Sequence, residues 1–215
     1  MIPSFPSPIV LIGGGGHSLV VADAARAAGF TILGIFDDRA DCPAVLLDGG
    51  MLVGAIWGVP TGARAILALG SVPLRFELAQ ALRCDWATVL HPEACVSSNA
   101  LIGSGVFIAA RAVVNPHARL GDHSIVNTSA VVEHECVIGA HSHIAPGAVL
   151  GGNVTVGDGT LVGLGSRVLP GVRLGRRCVV GAGAVVTRDV PDGVTVLGCP
   201  ARQSQPFSNT LTKAS

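Results

Sequence analysis

Between Asn127 and His143 the sequence reads NTSAVVEHECVIGAHSH, and those seventeen positions hold Asn127, Glu133, His134, Glu135, His141 and His143. An imidazole beside a carboxylate is the usual construction of a general base, because the acid orients the ring and stabilises its protonated form. His134, flanked by Glu133 and Glu135, has that composition, in a stretch otherwise rich in Ala, Gly and Val. Metal chemistry has less support. The six cysteines, at 42, 84, 95, 136, 178 and 199, form no C-x-x-C pair and no zinc-finger spacing, which points to reduced thiols.

The element that carries the cluster is set by a repeat. Stepping by six from Val96 meets an aliphatic side chain sixteen times in succession, through Val132, Ile138, Ile144 and Leu150 to Val186. A small or β-branched residue follows each of the first fifteen four positions later, Cys136 and Cys178 among them, and Gly often follows the aliphatic directly. A helix of 3.6 residues per turn would spread such positions around its whole circumference, so a period of six excludes it. A stacked β-solenoid accounts for it: each hexad is a short strand and a turn, with the aliphatic filling a narrow prism. The small column fits the crowded interior, so both cysteines are expected as packing, and glycine is expected where the turn forbids a Cβ.

The first part of the chain has a different pattern. PIVLIGGGGHSLVVADAARAAGFTILGIFDD reads as a buried strand at 8–12, a glycine loop at 13–16, a helix over about 18–28 and a second strand ending at Asp37 and Asp38. A glycine loop opening a helix admits phosphate oxygens to backbone N–H groups, and an acid some twenty residues on can bond a ribose or base. The third glycine of a dinucleotide fingerprint is missing, since Ser18 follows GGGGH. A strand, Gly70 and a helix follow in ARAILALGSVPLRFELAQAL, and ATVLH reads as a closing strand. About 80 residues of this kind suffice for one mononucleotide half. The expected architecture is therefore an α/β Rossmann-like nucleotide-binding domain over 1–91, a β-helix over 92–202 and a disordered polar tail over 203–215.

Fourteen basic and fourteen acidic residues balance, so no electrostatic capture of nucleic acid or of an anionic membrane is implied. No apolar run approaches a membrane span, and MIPSFPSPIVLIGGGGH lacks the features of a secretory signal, so a cytoplasmic location is expected.

The loop GGGGH, the strand end FDD, ALGS, the solenoid segment from NTSAVVEHECVIGAHSHIAPG to SRVLPG and the closing GCPAR together resemble the bacterial nucleotide-sugar acetyltransferases. That family includes bacillosamine and perosamine N-acetyltransferases and a sialic acid O-acetyltransferase branch. The resemblance covers about residues 8–202 and is most specific over 127–171. It implies a left-handed β-helix with three hexads, or 18 residues, per coil, and a homotrimer with active sites between subunits. It also implies transfer of an acetyl group from acetyl-CoA to the 4-amino group of a UDP-, GDP- or dTDP-linked deoxysugar, without a metal. His134 would be the general base, with Glu135 orienting it. Asn127, His143, Gly152, Leu164 and Ala182 match positions on the acetyl-CoA side, Gly152 through its backbone N–H. Gly15, Gly16, His17, Asp37, Asp38 and Gly70 match positions on the nucleotide-sugar side. Ser71 stands where relatives often have Asn.

Given 18 residues per coil, His134 should lie against Gly152, which leaves the imidazole free space. His123 and His141 should also stack on each other, at a turn beside Asp122, and are expected as solvated surface residues. Two rival functions share parts of the pattern. A glycan O-acetyltransferase would keep the whole architecture. A hydratase of the γ-carbonic-anhydrase type would hold zinc between histidines of two chains, but it has no use for a nucleotide-binding domain.

Overall fold

The computed structural model describes residues 8–43 and 51–204. Its first part is a five-stranded parallel sheet of order β3-β2-β1-β4-β5. Here β1 is Pro8–Ile12, β2 is Thr31–Phe36, β3 is Leu52–Gly54, β4 is Arg64–Leu67 and β5 is Asp85–Trp86. Helix α1, Gly16–Ala27, crosses from β1 to β2, and α2, Val72–Ala81, crosses from β4 to β5. Ile9, Leu11 and Ile12 of β1 are fully buried, as the apolar run PIVLI requires of a central parallel strand. Both helices keep to the expected places, although α1 begins two residues early, inside the glycine loop.

The remainder is a left-handed parallel β-helix with three faces. The first face runs from Cys95–Val96 to Val185–Val186, the second from Leu101–Ile102 to Arg173–Leu174, and the third from Val89–Leu90 to Thr195–Leu197. Pairing is in steps of 18, as in Val131↔Val149, Val137↔Thr155 and His143↔Leu161. The aliphatic column and the small column fill the prism, and Ala112, Ala130, Cys136, Ala148, Cys178 and Ala184 are all fully buried. The thiols of Cys136 and Cys178 are spent on the carbonyls of Gly151 and Pro191. Both cysteines are therefore packing, as expected from their column.

Two expectations are corrected. ATVLH is not the last strand of the first domain: Val89–Leu90 pairs with Phe107–Ile108 and is already the first rung of the third face. The hexad register thus extends back to Leu90, and the expected junction at His91–Pro92 falls inside the solenoid. At the other end Arg202–Gln203 pairs antiparallel with Val196 and Leu197, so the polar tail starts later than 203, and residues 205–215 lie outside those described. The expectation that glycine stands where the turn forbids a Cβ is borne out at the glycines that follow an aliphatic, and the cause is close approach of the next coil. A Cβ on Gly139 would come within 2.5 Å of the Asp158 backbone nitrogen, and one on Gly121 within 2.7 Å of that of Ala140, in the next coil. The left-handed residues fall two positions later, at every sixth residue from Gly105 to Gly183, with Arg111, His117, His123, Ser129, Glu135, His141, Asn153 and Arg177 among them.

The two parts share one apolar cluster. Val21, Ala22 and Ala25 of α1 cluster with Val89, Phe107 and Ile125 on the third face of the solenoid. Among the described residues no helix is long and apolar enough to cross a membrane.

Candidate active site

The loop between β1 and α1 divides into two halves. Gly13, at φ +99°, and Gly14 are structural: a Cβ on the first would strike Leu69, and one on the second would strike Cys42. Gly15 and Gly16 are open. A Cβ on Gly16 would meet nothing within 4 Å, and one on Gly15 only the Arg39 guanidinium at 3.7 Å. The start of α1 has no side-chain cap, and the Ser18 N–H is held by the Gly15 carbonyl at 2.9 Å.

Asp37 is buried behind the loop. Its carboxylate accepts from the Gly14 N–H at 2.7 Å and from the Arg39 backbone N–H at 2.9 Å, and its Oδ1 also takes the Arg39 Nε–H at 3.2 Å. Burial alone would raise its pKa, but these bonds outweigh it and hold the carboxyl below the usual range. Asp38 is engaged too, its Oδ1 accepting from the Ile56 N–H at 3.0 Å. Both acids therefore shape the loops at the carboxyl end of the sheet. Ser71 caps α2, its hydroxyl accepting from the Leu74 N–H at 3.5 Å, a role that Asn would also fill.

His17, the second residue of α1, turns toward the solenoid. Its ring lies 5.5 Å from Phe107 edge-on and 6.0 Å from the ring of His143. The Gly70 backbone lies beside both histidines. Asn127 completes the group. Its Oδ1 accepts from the Thr128 N–H at 2.8 Å, which turns Nδ2 toward His143 Nε2 at 3.0 Å. A donated N–H requires a lone pair on Nε2, so this contact selects neutral His143. Burial first, and then the charge of Arg75, push both His17 and His143 down to about 4. Gly15, Gly16, His17, Gly70, Asn127 and His143 are thus gathered at one place, where the helix start meets the third face.

His134 is elsewhere. It occupies the turn after Val131–Val132, on the edge between the first and second faces. Its Nδ1 is 3.1 Å from Glu135 Oε2, which fixes the proton on Nδ1 and leaves the lone pair on Nε2. Asn153 N–H bonds the His134 carbonyl at 2.9 Å, placing the next coil directly against it. There the chain has Gly152, whose Cβ, if present, would lie 2.5 Å from His134 Nε2. The stacking expected from the sequence is borne out, and the imidazole occupies the missing side chain's space. The φ of +60° at Glu135 recurs at every sixth residue from Gly105 to Gly183 and is not strain particular to this pair. Leu164 and Ala182 lie on a third edge, in successive turns between the third and first faces, and Leu164 is 57% exposed.

Comparison with solved structures identifies the family. Over 94% of the chain and 99% of the other, the fold superposes at a TM-score of 0.83 with 38% identity on PerB from Caulobacter crescentus, in complex with CoA and GDP-perosamine. The chain belongs to the bacterial nucleotide-sugar acetyltransferases. A histidine-to-asparagine variant of perosamine N-acetyltransferase from the same organism, also with CoA and GDP-perosamine, gives a TM-score of 0.84 at 36% identity with the same coverage. The acetyltransferase domain of PglB from Neisseria gonorrhoeae FA1090, in complex with acetyl coenzyme A, gives 0.85 at 34% identity, over 93% of this chain and all of that one. Family models agree: the PglD N-terminal domain matches residues 8–82, the GMPPB C-terminal domain 81–170, and the hexapeptide repeat of succinyl-transferase 153–188. Comparison with curated protein sequences finds no match.

Within this acetyltransferase, His123 and His141 correct the sequence reading. They do stack, with ring centroids 5.0 Å apart and 14° between planes, but they are buried rather than solvated. Trp86 of β5 closes edge-on over His123 at 4.8 Å, and Phe76 of α2 over His141 at 5.1 Å. Burial is the main cause that lowers both, His123 to about 4. Sequence reasoning also passed over Arg75, which is 1% exposed. Its one signal was a lone arginine in the apolar helix VPLRFELAQA. Among the described residues no group of three or more His, Cys, Asp or Glu could hold a metal ion.

Proposed function

We propose that this protein transfers the acetyl group of acetyl-CoA to the 4-amino group of a nucleotide-linked deoxysugar, with His134 as general base. The observation that carries the reading is the whole-length likeness to an enzyme holding CoA and GDP-perosamine. The chain's own residues fit the chemistry. The neutral amine attacks the thioester carbonyl through its lone pair, and a base must take one proton from that nitrogen as the C–N bond forms. His134 Nε2 is free to do so, and Glu135 stabilises the imidazolium that forms. When the tetrahedral intermediate collapses, the C–S bond breaks and the same imidazolium returns the proton to the departing thiolate. The cluster of Gly15, Gly16, His17 and Gly70 receives the nucleotide-sugar, with Asp37 and Asp38 holding the loops around it. Leu164 and Ala182 line the acetyl-CoA path, with Asn127 and His143 where the two substrates meet.

This reading requires assembly. Within one chain the base lies on the edge between the first and second faces, while the sugar-side cluster and the cofactor line follow the third face and its edge with the first. A homotrimer in which neighbouring prisms pack side by side brings the base of one chain to the sugar loop of the next. Exposed apolar residues on the solenoid, Leu101, Val137, Leu164, Leu169 and Val179, support such packing. Both substrates are highly charged small molecules retained in the cytoplasm, and the protein is placed there with them.

The test is free CoA release with acetyl-CoA and a panel of UDP-, GDP- and dTDP-linked 4-amino-deoxysugars, with sialic acid alongside. Turnover on one amino sugar supports the reading and names its carrier. Activity on the hydroxyl acceptor alone moves the protein to the O-acetyl branch.

A further inference from the structure

Arg75 is a buried cation without an acid. Its NH1 donates to the carbonyls of Leu69 and Gly70, both at 3.1 Å, in the turn before α2. Its NH2 donates across the domain junction to the carbonyls of His141 at 2.6 Å and Ser142 at 3.4 Å. Among the described residues it makes no ion pair. The surrounding titratable groups are His17 from α1 and His123, His141 and His143 from the solenoid, with Asp122 and Asp158 acting on the histidine pair. Burial lowers the arginine itself to about 10, so it stays charged at neutral pH.

Such a group is costly to desolvate, and carbonyl oxygens only partly repay it. Adhesion between the domains does not need it. The apolar cluster under α1 and the stack Trp86, His123, His141, Phe76 already hold them together. What the guanidinium alone does is fix one separation. Its planar fork spans from the Gly70 turn, which lies beside His17, to the turn that leads into His143. A lysine, with one compact ammonium, cannot hold both sides in the same geometry.

We propose that Arg75 is a positioning residue of the transfer reaction, stapling the Gly70 turn to the solenoid at His141–Ser142 and so setting His17 against His143. The staple also places a fixed positive charge among four histidines, which adds to burial, the larger cause, in disfavouring their protonated forms. The inference rests on the reading that Gly70 and His17 contact the nucleotide-sugar.

The experiment compares the full-length wild type with Arg75→Met and Arg75→Lys. Initial rates of CoA release are measured with each substrate varied in turn, and backbone amide exchange is measured on the same samples. For Arg75→Met the expected result is a rise of about tenfold in KM for the nucleotide-sugar, with KM for acetyl-CoA within about twofold of wild type. Arg75→Lys should fall between, and carries the test if the methionine variant does not fold. Exchange should quicken over 69–75 and 141–143 and stay unchanged on the far coils. Equal changes in both KM values, or exchange that quickens throughout, would mean that Arg75 is domain adhesive only and would overturn the proposal. Should the wild type turn over no nucleotide-sugar, the functional reading fails separately, and unaltered exchange at 69–75 and 141–143 would still refute the staple.

Discussion

Replacing Gly152 by alanine separates catalysis from stability at one atom. Gly152 has an ordinary negative-φ backbone, so alanine fits the fold without strain, and it retains the backbone N–H. The added methyl would stand 2.5 Å from His134 Nε2 and 2.6 Å from Cε1. Ordinary carbon contacts begin at about 3.5 Å, so the ring must retreat by roughly 1 Å. The retreat costs little stability, because His134 is 58% exposed and its ring can swing into solvent. For the reaction it is costly: a misplacement of about 1 Å at a reacting group can lower the rate on the order of 100-fold. Gly152→Ala should therefore melt within a few degrees of wild type while kcat, read as CoA release at saturating substrates, falls by about that factor. A variant with kcat within about threefold of wild type would refute the claim that the space beside Gly152 belongs to a working base.

Other expectations follow from the same geometry. Asp37→Asn keeps an acceptor but removes the charge that holds the Gly14 N–H and Arg39, so KM for the nucleotide-sugar should rise about 10- to 100-fold with KM for acetyl-CoA little changed. Equal effects on both substrates would count against a sugar-side role. Stability should fall on acidification: the junction histidines have folded-state pKa values below the ordinary 6.5, so the unfolded chain binds more protons as pH drops from about 6.5 to 4. For His143, lowered to about 4, the loss over that window is on the order of 3 kcal/mol. Thermal melts from pH 7.5 to 4 should show it, and a flat Tm across the window would contradict neutral burial of these rings. Co-expressing His134→Ala chains with His17→Ala chains should restore activity that neither has alone, since some mixed sites pair an intact base with an intact loop. No recovery would place the whole site in one chain.

Much of this was legible in the sequence because a solenoid writes its geometry plainly. An uninterrupted six-residue period fixes which side chains fill the prism, and a coil of 18 predicts that Gly152 abuts His134. The exterior was harder to read. An outward residue of a rung is exposed or buried according to what docks on that face, and the hexad pattern holds no information about docking. His123 and His141 therefore looked solvated, although β5 and α2 cover them. The burial of Arg75 went unread for the same reason, since it depends on the solenoid that its helix docks against. The strand ATVLH went to the wrong domain because two aliphatic residues satisfy a sheet edge and a solenoid rung equally well. The roles of Asp37 and Asp38 blurred because a carboxylate near a nucleotide loop can bond the ligand or the loop, and here both bond backbone N–H groups.

The most direct test is CoA release by the wild type and by His134→Ala with a nucleotide-linked 4-amino-deoxysugar. The account predicts turnover by the wild type and a drop of about 10²- to 10⁴-fold in the variant, the contribution of a positioned general base, with acetyl-CoA binding preserved. Turnover by the variant at the wild-type rate would contradict it.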